Sequence, residues 1–342
     1  MKIYNKSRFG IIAAMAILSC ASCKKSMDDL FPNPDKITET KIEYLLPSGI
    51  DNALRQEYTD IYRNHLSGIA QLTQVVAGVL DPISSNYYNW TNDKGRWTEY
   101  YTNQNGMISL KGIEQIYNYE LTEAQKEEYK PYLAMARIIM AYNSARTTDL
   151  FDDMPYSDAF KAQNSLYNQP VILTPKYESQ QSIYYAILDD LKAAAATLST
   201  YTLNAAAYQT HAGLPQQDIL FKGDLSKWVK FANSLRLRYA VRISAKDATR
   251  ARTEINDLIS SGAPLVVTNA DNVYLYKGGQ VAGTGGGEVT QIRAFAELPD
   301  QIFAPKLMVD EMTAANDPRL NVYFTKGSTA TTIVGLNPSR DA

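Results

Sequence analysis

Apolar residues return every three or four positions in one stretch of this chain after another, a spacing that lines one face of a helix rather than alternate faces of a strand. The stretches are Ile69, Leu72, Val76 and Val79; Tyr129, Leu133, Ala136 and Met140; Ile183, Ile187, Leu191, Ala194 and Leu198; and Trp228, Phe231, Leu235 and Tyr239. Each stripe needs a neighbour to bury it, so the pattern predicts helices packed in pairs. The helices are expected over Ile42 to about Val79 with an interruption at Pro47, Trp97 to about Ile116, and Thr122 to Phe151. Further ones are expected over Ser179 to Leu198, Leu225 to Ile243, Ala248 to Ser260 and Gln301 to Ala314. Thr122 followed by Glu123 is a start signal, and Gly262 a stop signal.

The stretches between them read as loops. Asp81-Pro82 opens a polar run over 83–96, residues 152–175 carry Pro155, Pro170 and Pro175, and residues 199–223 form another connection. Val266-Val267 and Val273-Tyr274-Leu275-Tyr276 are short-strand candidates ahead of a glycine-rich loop from Gly278 to Gly287. The fold class is therefore all-α, a scaffold of tetratricopeptide-like helical hairpins with long irregular loops and a few short strands. No strict repeat signature recurs, so spacing alone does not establish the repeat.

The N-terminus bears on the compartment. Lys2, Lys6 and Arg8 precede an uncharged, mostly apolar run from Phe9 to Leu18, too short to span a bilayer and suited to the core of a signal peptide. Ile17-Leu18-Ser19-Cys20 then fits a lipobox, with acylation at Cys20; Cys23 is the alternate, and an ordinary signal cut near Ala21 the competing reading. Residues 1–19 are thus expected to be a lipoprotein signal peptide, 20–39 a lipidated flexible tether, and 40–342 one binding domain. Loss of the signal moves the formal charge from −2 to −5, and without basic clusters a nucleic-acid partner is not expected. Cys20 and Cys23 are the only cysteines, which leaves the domain no disulfide framework.

Catalytic signals are sparse. His65 and His211 are the only histidines and neither belongs to a metal or nucleophile motif. The run Gly283-Thr284-Gly285-Gly286-Gly287 lacks the lysine of a phosphate loop, and reads either as a ligand-facing loop or as an irregular connection. Asp189 and Asp190 are adjacent on a helix and diverge, while Asp152 and Asp153 suit a turn. Neither catalysis nor a cofactor or metal is expected. With 24 tyrosines against 9 phenylalanines, the chain is rich in rings that carry a polar tip, and these suit half-wet recognition surfaces. Tyr87, Tyr88 and Trp90 lie in a polar loop beside Asn86, Asn89 and Asn92, where rings could stack on a sugar and amides bond its hydroxyls; Trp90 as a plug under its loop competes with this. The ligand-binding candidates are Tyr87, Tyr88, Asn89 and Trp90, with Tyr274 and Tyr276 second. Trp97 and Tyr101, four apart, are read as core.

Longer blocks carry a resemblance. They are Tyr44-Leu45-Leu46-Pro47, Trp97 through Tyr101, Thr148 through Ala159, Tyr177 to Leu198, Asp218-Ile219 with Gly223-Asp224 and Lys227 through Arg238, and Asp317-Pro318-Arg319-Leu320. Together with the lipoprotein signal and the acidic tether, the sequence resembles the SusD/RagB-like nutrient-binding outer-membrane lipoproteins, subgroup 2, over roughly the N-terminal two thirds of the family pattern. Asp152 stands where the family usually has glycine. The resemblance implies a helical scaffold and a ligand such as an oligosaccharide. It also implies a SusC-like TonB-dependent barrel transporter as partner, and anchorage in outer-membrane lipid at the surface of a Gram-negative bacterium. A cell-surface glycan-active enzyme and a protein-only adaptor with a tetratricopeptide-like surface are the competing readings.

Overall fold

The computed structural model describes residues 41–54, 77–78, 93–102, 106–203, 213–275 and 302–336. From Ile42 onward these fall in one compact unit. Its elements are α1 (Ile42–Leu54), β1 (Ala77–Gly78), α2 (Asp93–Tyr101), α3 (Met107–Tyr119), α4 (Glu123–Phe151), β2 (Met154–Pro155), a 3-10 helix (Lys161–Tyr167), β3 (Tyr177–Glu178) and α5 (Gln180–Thr200). After these come α6 (Leu214–Gln217), α7 (Leu225–Ile243), α8 (Ala248–Ser260), a second 3-10 turn (Asn269–Asp271), β4 (Ile302–Phe303), α9 (Lys306–Ala314) and α10 (Leu320–Tyr323).

The all-α expectation holds. α4 lies at the centre, with α1, α2, α3 and α5 all packed on it; α7 then packs on α5, and α8 on α7. Burial explains that order. α5 hides Ile183, Ile187, Leu191, Ala194 and Leu198, the stripe expected from its spacing, and α7 hides Trp228, Phe231, Leu235 and Tyr239. α4 buries more than one face: Met135, Ile138, Ile139 and Ala145 join Tyr129, Leu133, Ala136 and Met140. A helix surrounded by neighbours loses its polar side, which is why its periodicity shows only in part.

The helix ends follow from their side chains. Thr122 and Gln125 form a capping box, the Gln125 N–H donating to Thr122 Oγ1 and the Thr122 N–H to Gln125 Oε1. Ser179, Asp224 and Asp247 each accept a first-turn N–H at the starts of α5, α7 and α8. Gly262, at φ 60°, closes α8, and the Ala263 N–H reaches back to the Leu258 carbonyl. Charged contacts bind the last three long helices. Buried Arg236 of α7 donates from Nε to Glu254 of α8 at 2.5 Å and also meets Asp257, which Lys192 of α5 reaches at 3.0 Å.

Several expectations are corrected. Pro47 does not interrupt α1; the bond it forgoes is outweighed by burial of Ile42, Leu46, Ile50 and Ala53. That helix does not run to Val79 either, since Ala77–Gly78 pairs antiparallel with Ile302–Phe303. Ile69, Leu72, Val76 and Val79 lie outside the described residues. The helix expected over Trp97 to Ile116 is two. Gly106 takes a left-handed φ of 70° before α3 and packs against the backbone of Gly49, so the helix cannot continue through it. The connection over 152–175 is more ordered than expected, with Met154–Pro155 paired antiparallel to Tyr177–Glu178 and a 3-10 helix between. No strand forms at Val266-Val267 or over 273–275. The Val266 N–H goes to Ser234 Oγ and the Pro264 carbonyl accepts from Asn233, so side chains of α7 take the backbone bonds a partner strand would supply.

Candidate functional site: a row of rings ending at Tyr177

Trp97 and Tyr101 lie one turn apart on α2, their ring centroids 5.0 Å apart. Trp97 meets Phe151, the last residue of α4, nearly edge-on at 5.2 Å. Its other neighbour is Tyr177 of β3, almost parallel at an interplanar angle of 18° and 6.1 Å. Tyr101 extends the row inward, edge-on to Tyr100 at 4.8 Å and tilted by 27° over Phe160 at 5.9 Å. Tyr100 is buried and shares a 2.9 Å hydrogen bond with Ser144, while Tyr177 is 65% exposed. The row thus runs from core to solvent. The reading of Trp97 and Tyr101 as core residues holds: both are half-buried and pack against the main cluster.

The backbone around the row is set by α4's end. Asp152 takes φ 62° and ψ −119°, turning the chain out of the helix into β2, while the Asp152 N–H still bonds the Thr148 carbonyl at 2.8 Å. β2 then pairs with β3, Met154 opposite Glu178 and Pro155 opposite Tyr177. The Tyr101 hydroxyl donates to the Pro155 carbonyl at 2.7 Å. Asp153 Oδ1 accepts the Gln180 N–H at 3.0 Å, and Glu178 Oε1 the Ser157 N–H at 2.6 Å. Burial, followed by the nearby Tyr100, Tyr177 and Glu178, drives the Tyr101 phenol well above its ordinary pKa, so it stays a donor.

The arrangement suits binding. A ring fixed at the surface offers a flat apolar face, and adjacent carboxylates accept from hydroxyls. Among the described residues no group of three or more His, Cys, Asp or Glu is placed to hold a metal ion, and no helix is long and apolar enough to cross a membrane. A separate cleft of about 1030 Å³ lies between α9 and the segment 324–335, lined by Lys306, Asp310, Asn321, Phe324, Thr331 and others.

Of the ring candidates read from the sequence, Tyr87, Tyr88, Asn89, Trp90 and Tyr276 lie outside the described residues, as do Cys20, Cys23, His65, His211 and the glycine loop. Tyr274 is described and 67% exposed, in an irregular run rather than a strand, with Val273 and Leu275 on either side packed against the core. Asp271 anchors that run, accepting from Lys230 Nζ at 2.5 Å and from the Thr268 N–H and hydroxyl. Tyr177 was missed, because its partner Trp97 is remote in sequence and only the β2–β3 pairing joins them.

Comparisons agree with this fold. A family profile described as "Starch-binding associating with outer membrane", SusD-like_2, matches residues 34–337. A solved SusD homolog from Parabacteroides distasonis is 27% identical, with a TM-score of 0.61, over 78% of this chain and 47% of its own. A structure described as a chitin-binding protein gives 22% identity and a TM-score of 0.64 over 87% of this chain and 60% of that one. A chitin-binding SusD homolog from Flavobacterium johnsoniae gives 19% and 0.56 over 85% and 55%. The chain thus spans about half the length of these structures. No curated protein matches the sequence. A profile match over nearly the whole chain, on a shared helical scaffold, means that the chain belongs to the SusD-like family.

Proposed function

We propose that this protein binds oligosaccharide at the cell surface, held to the outer membrane by acylation at Cys20, and passes its ligand without turnover to a SusC-like TonB-dependent barrel. The observation that carries the reading is the SusD-like profile over residues 34–337, whose description joins starch binding to outer-membrane association. Two structures of similar fold, both described as chitin-binding, support a glycan ligand. Residues 1–19 serve as the signal, 20–39 as the tether, and the remainder as the binding domain; Tyr87, Tyr88, Asn89, Trp90, Tyr274 and Tyr276 contribute to ligand contact.

The test is direct. The full chain, solubilised in detergent, is titrated calorimetrically with linear glucan and chitin oligosaccharides, and the sugars are then chromatographed. Binding with an unchanged chromatogram supports the proposal; shortened products would make the protein an enzyme. Capture of the barrel without retention of any glycan would make it a protein-only adaptor. Labelled palmitate should be incorporated by the wild type and lost in Cys20→Ser. Label persisting there but lost in Cys23→Ser would move the anchor.

A further inference from the structure

We propose that Tyr177 is the floor of a saccharide subsite on the β2–β3 hairpin, taking one pyranose ring of a neutral glycan. The inference rests on the glycan-binding reading above and deepens it by naming a described residue and a charge preference.

Tyr177 is exposed yet held in place. Trp97 lies nearly parallel to it, and Trp97 is itself wedged by Phe151 and Tyr101, so one face of the Tyr177 ring is backed by the fold. The residue still leaves 65% of its surface in solvent, enough for a ligand to reach the ring. Its backbone is fixed as well, paired with Pro155 and followed at once by Ser179, the cap of α5. A ring already ordered loses little conformational freedom when a ligand settles on it, which most exposed tyrosines cannot offer.

The neighbouring charges choose the ligand. Alternate residues of a strand share a face, so Asp153 lies on the side of Pro155, the residue opposite Tyr177. Asp153 engages the Gln180 N–H through Oδ1, and Oδ2 has no hydrogen bond among the described residues. Carboxylate oxygens only accept, and sugar hydroxyls donate; a ring with an acceptor on its own side of the hairpin matches the apolar face and equatorial hydroxyls of a pyranose. A carboxylate on the ring's side of the hairpin disfavours a uronic acid.

The experiment titrates the full chain with a neutral glucan oligosaccharide, a chitin oligosaccharide and an oligogalacturonate, recording melting temperatures alongside. Tyr177→Ala should weaken neutral-glycan binding about tenfold, the size of one good stacking contact. Tyr177→Phe should stay within about twofold of wild type, and Tyr177→Trp should bind more tightly, a gain legible whether or not the alanine variant is stable. The oligogalacturonate should bind more weakly than either neutral sugar. Wild-type binding that Tyr177→Ala and Tyr177→Trp leave unchanged overturns the subsite and spares the glycan-binding reading. Failure of the wild type to bind any of the three sugars overturns both. Oligogalacturonate binding as tight as neutral binding, and dependent on Tyr177, overturns the charge preference.

Discussion

The carboxylate of Asp218 accepts the indole N–H of Trp228 at 2.8 Å, in a place where both residues are completely buried. The same carboxylate takes the N–H groups of Leu220 and Phe221 at 3.0 Å each and of Gly223 at 2.8 Å. Donors on both oxygens keep the buried charge tolerable and fix the turn that launches α7. Asp218→Asn replaces one acceptor oxygen with an NH₂ group facing donors, and should cost about 2–4 kcal/mol. Urea unfolding followed by fluorescence measures this. A loss below about 0.5 kcal/mol would mean the carboxylate is not the organiser of the turn.

Asp152 should respond in the opposite direction. Its φ of 62° with ψ −119° is backbone that glycine adopts freely and an L side chain does not. The bonds holding that conformation, Asp152 N–H to Thr148 O and Thr148 Oγ1 to Asp152 O, are independent of the aspartate side chain. Asp152→Gly should therefore stabilise the protein by about 1 kcal/mol, visible as a rise in melting temperature. A fall would show that the carboxylate does more for the fold than the strain costs.

Two other glycines make a matched pair. A Cβ on Gly106 would strike the backbone of Gly49, and its φ is 70°; a Cβ on Gly262, at φ 60°, meets nothing within 4 Å. Gly262→Ala should cost only the left-handed penalty, about 1–2 kcal/mol. Gly106→Ala carries a backbone collision as well and should cost about 3 kcal/mol or more, since α1 and α3 must separate. Equal losses in thermal unfolding would contradict the close approach.

Which of these features the sequence revealed depends on how local their causes are. The start of α4 and the end of α8 were legible because Thr122 and Gly262 act within one turn, and α5 and α7 showed in their apolar stripes. The break between α2 and α3 was not, because Gly106 matters through its contact with Gly49, a residue of another helix. Val266-Val267 looked like a strand by composition, but Ser234 and Asn233 of α7 supply its backbone partners. The ring row was half legible: Trp97 and Tyr101 sit one turn apart, whereas Tyr177 joins them through a pairing between remote two-residue strands.

Acid should loosen the packing of α7 and α8. Hydrogen bonds from Arg236 and Lys192 hold the Asp257 carboxyl below its ordinary pKa, and Lys230 with Thr268 does the same for Asp271. A depressed folded pKa stabilises above the unfolded value and is lost as pH falls through the folded one, so stability should decline below about pH 4. Asp190 works the other way, because burial pushes its carboxyl up. Its ionised form is the unfavourable one, so Asp190→Asn should raise the melting temperature at pH 7 and lose that advantage as pH drops. A variant less stable than wild type at pH 7 would mean that the attraction of Arg137 outweighs the desolvation.

The two kinds of ring separate most cleanly by substitution. Trp97 is wedged between Phe151, Tyr101 and Tyr177, so Trp97→Ala opens a cavity and should cost about 3 kcal/mol. Trp90 belongs to a polar stretch with Asn86, Asn89 and Asn92, where a large ring has little local apolar surface to cover. If it serves the ligand, Trp90→Ala should weaken glycan retention about tenfold while leaving the melting temperature within a degree or two of wild type. Affinity electrophoresis in a glycan gel beside a thermal melt reads both at once. Should Trp90→Ala melt early, as Trp97→Ala is expected to, Trp90 belongs to the core, and recognition must fall to Tyr177, Tyr274 and the remaining tyrosines.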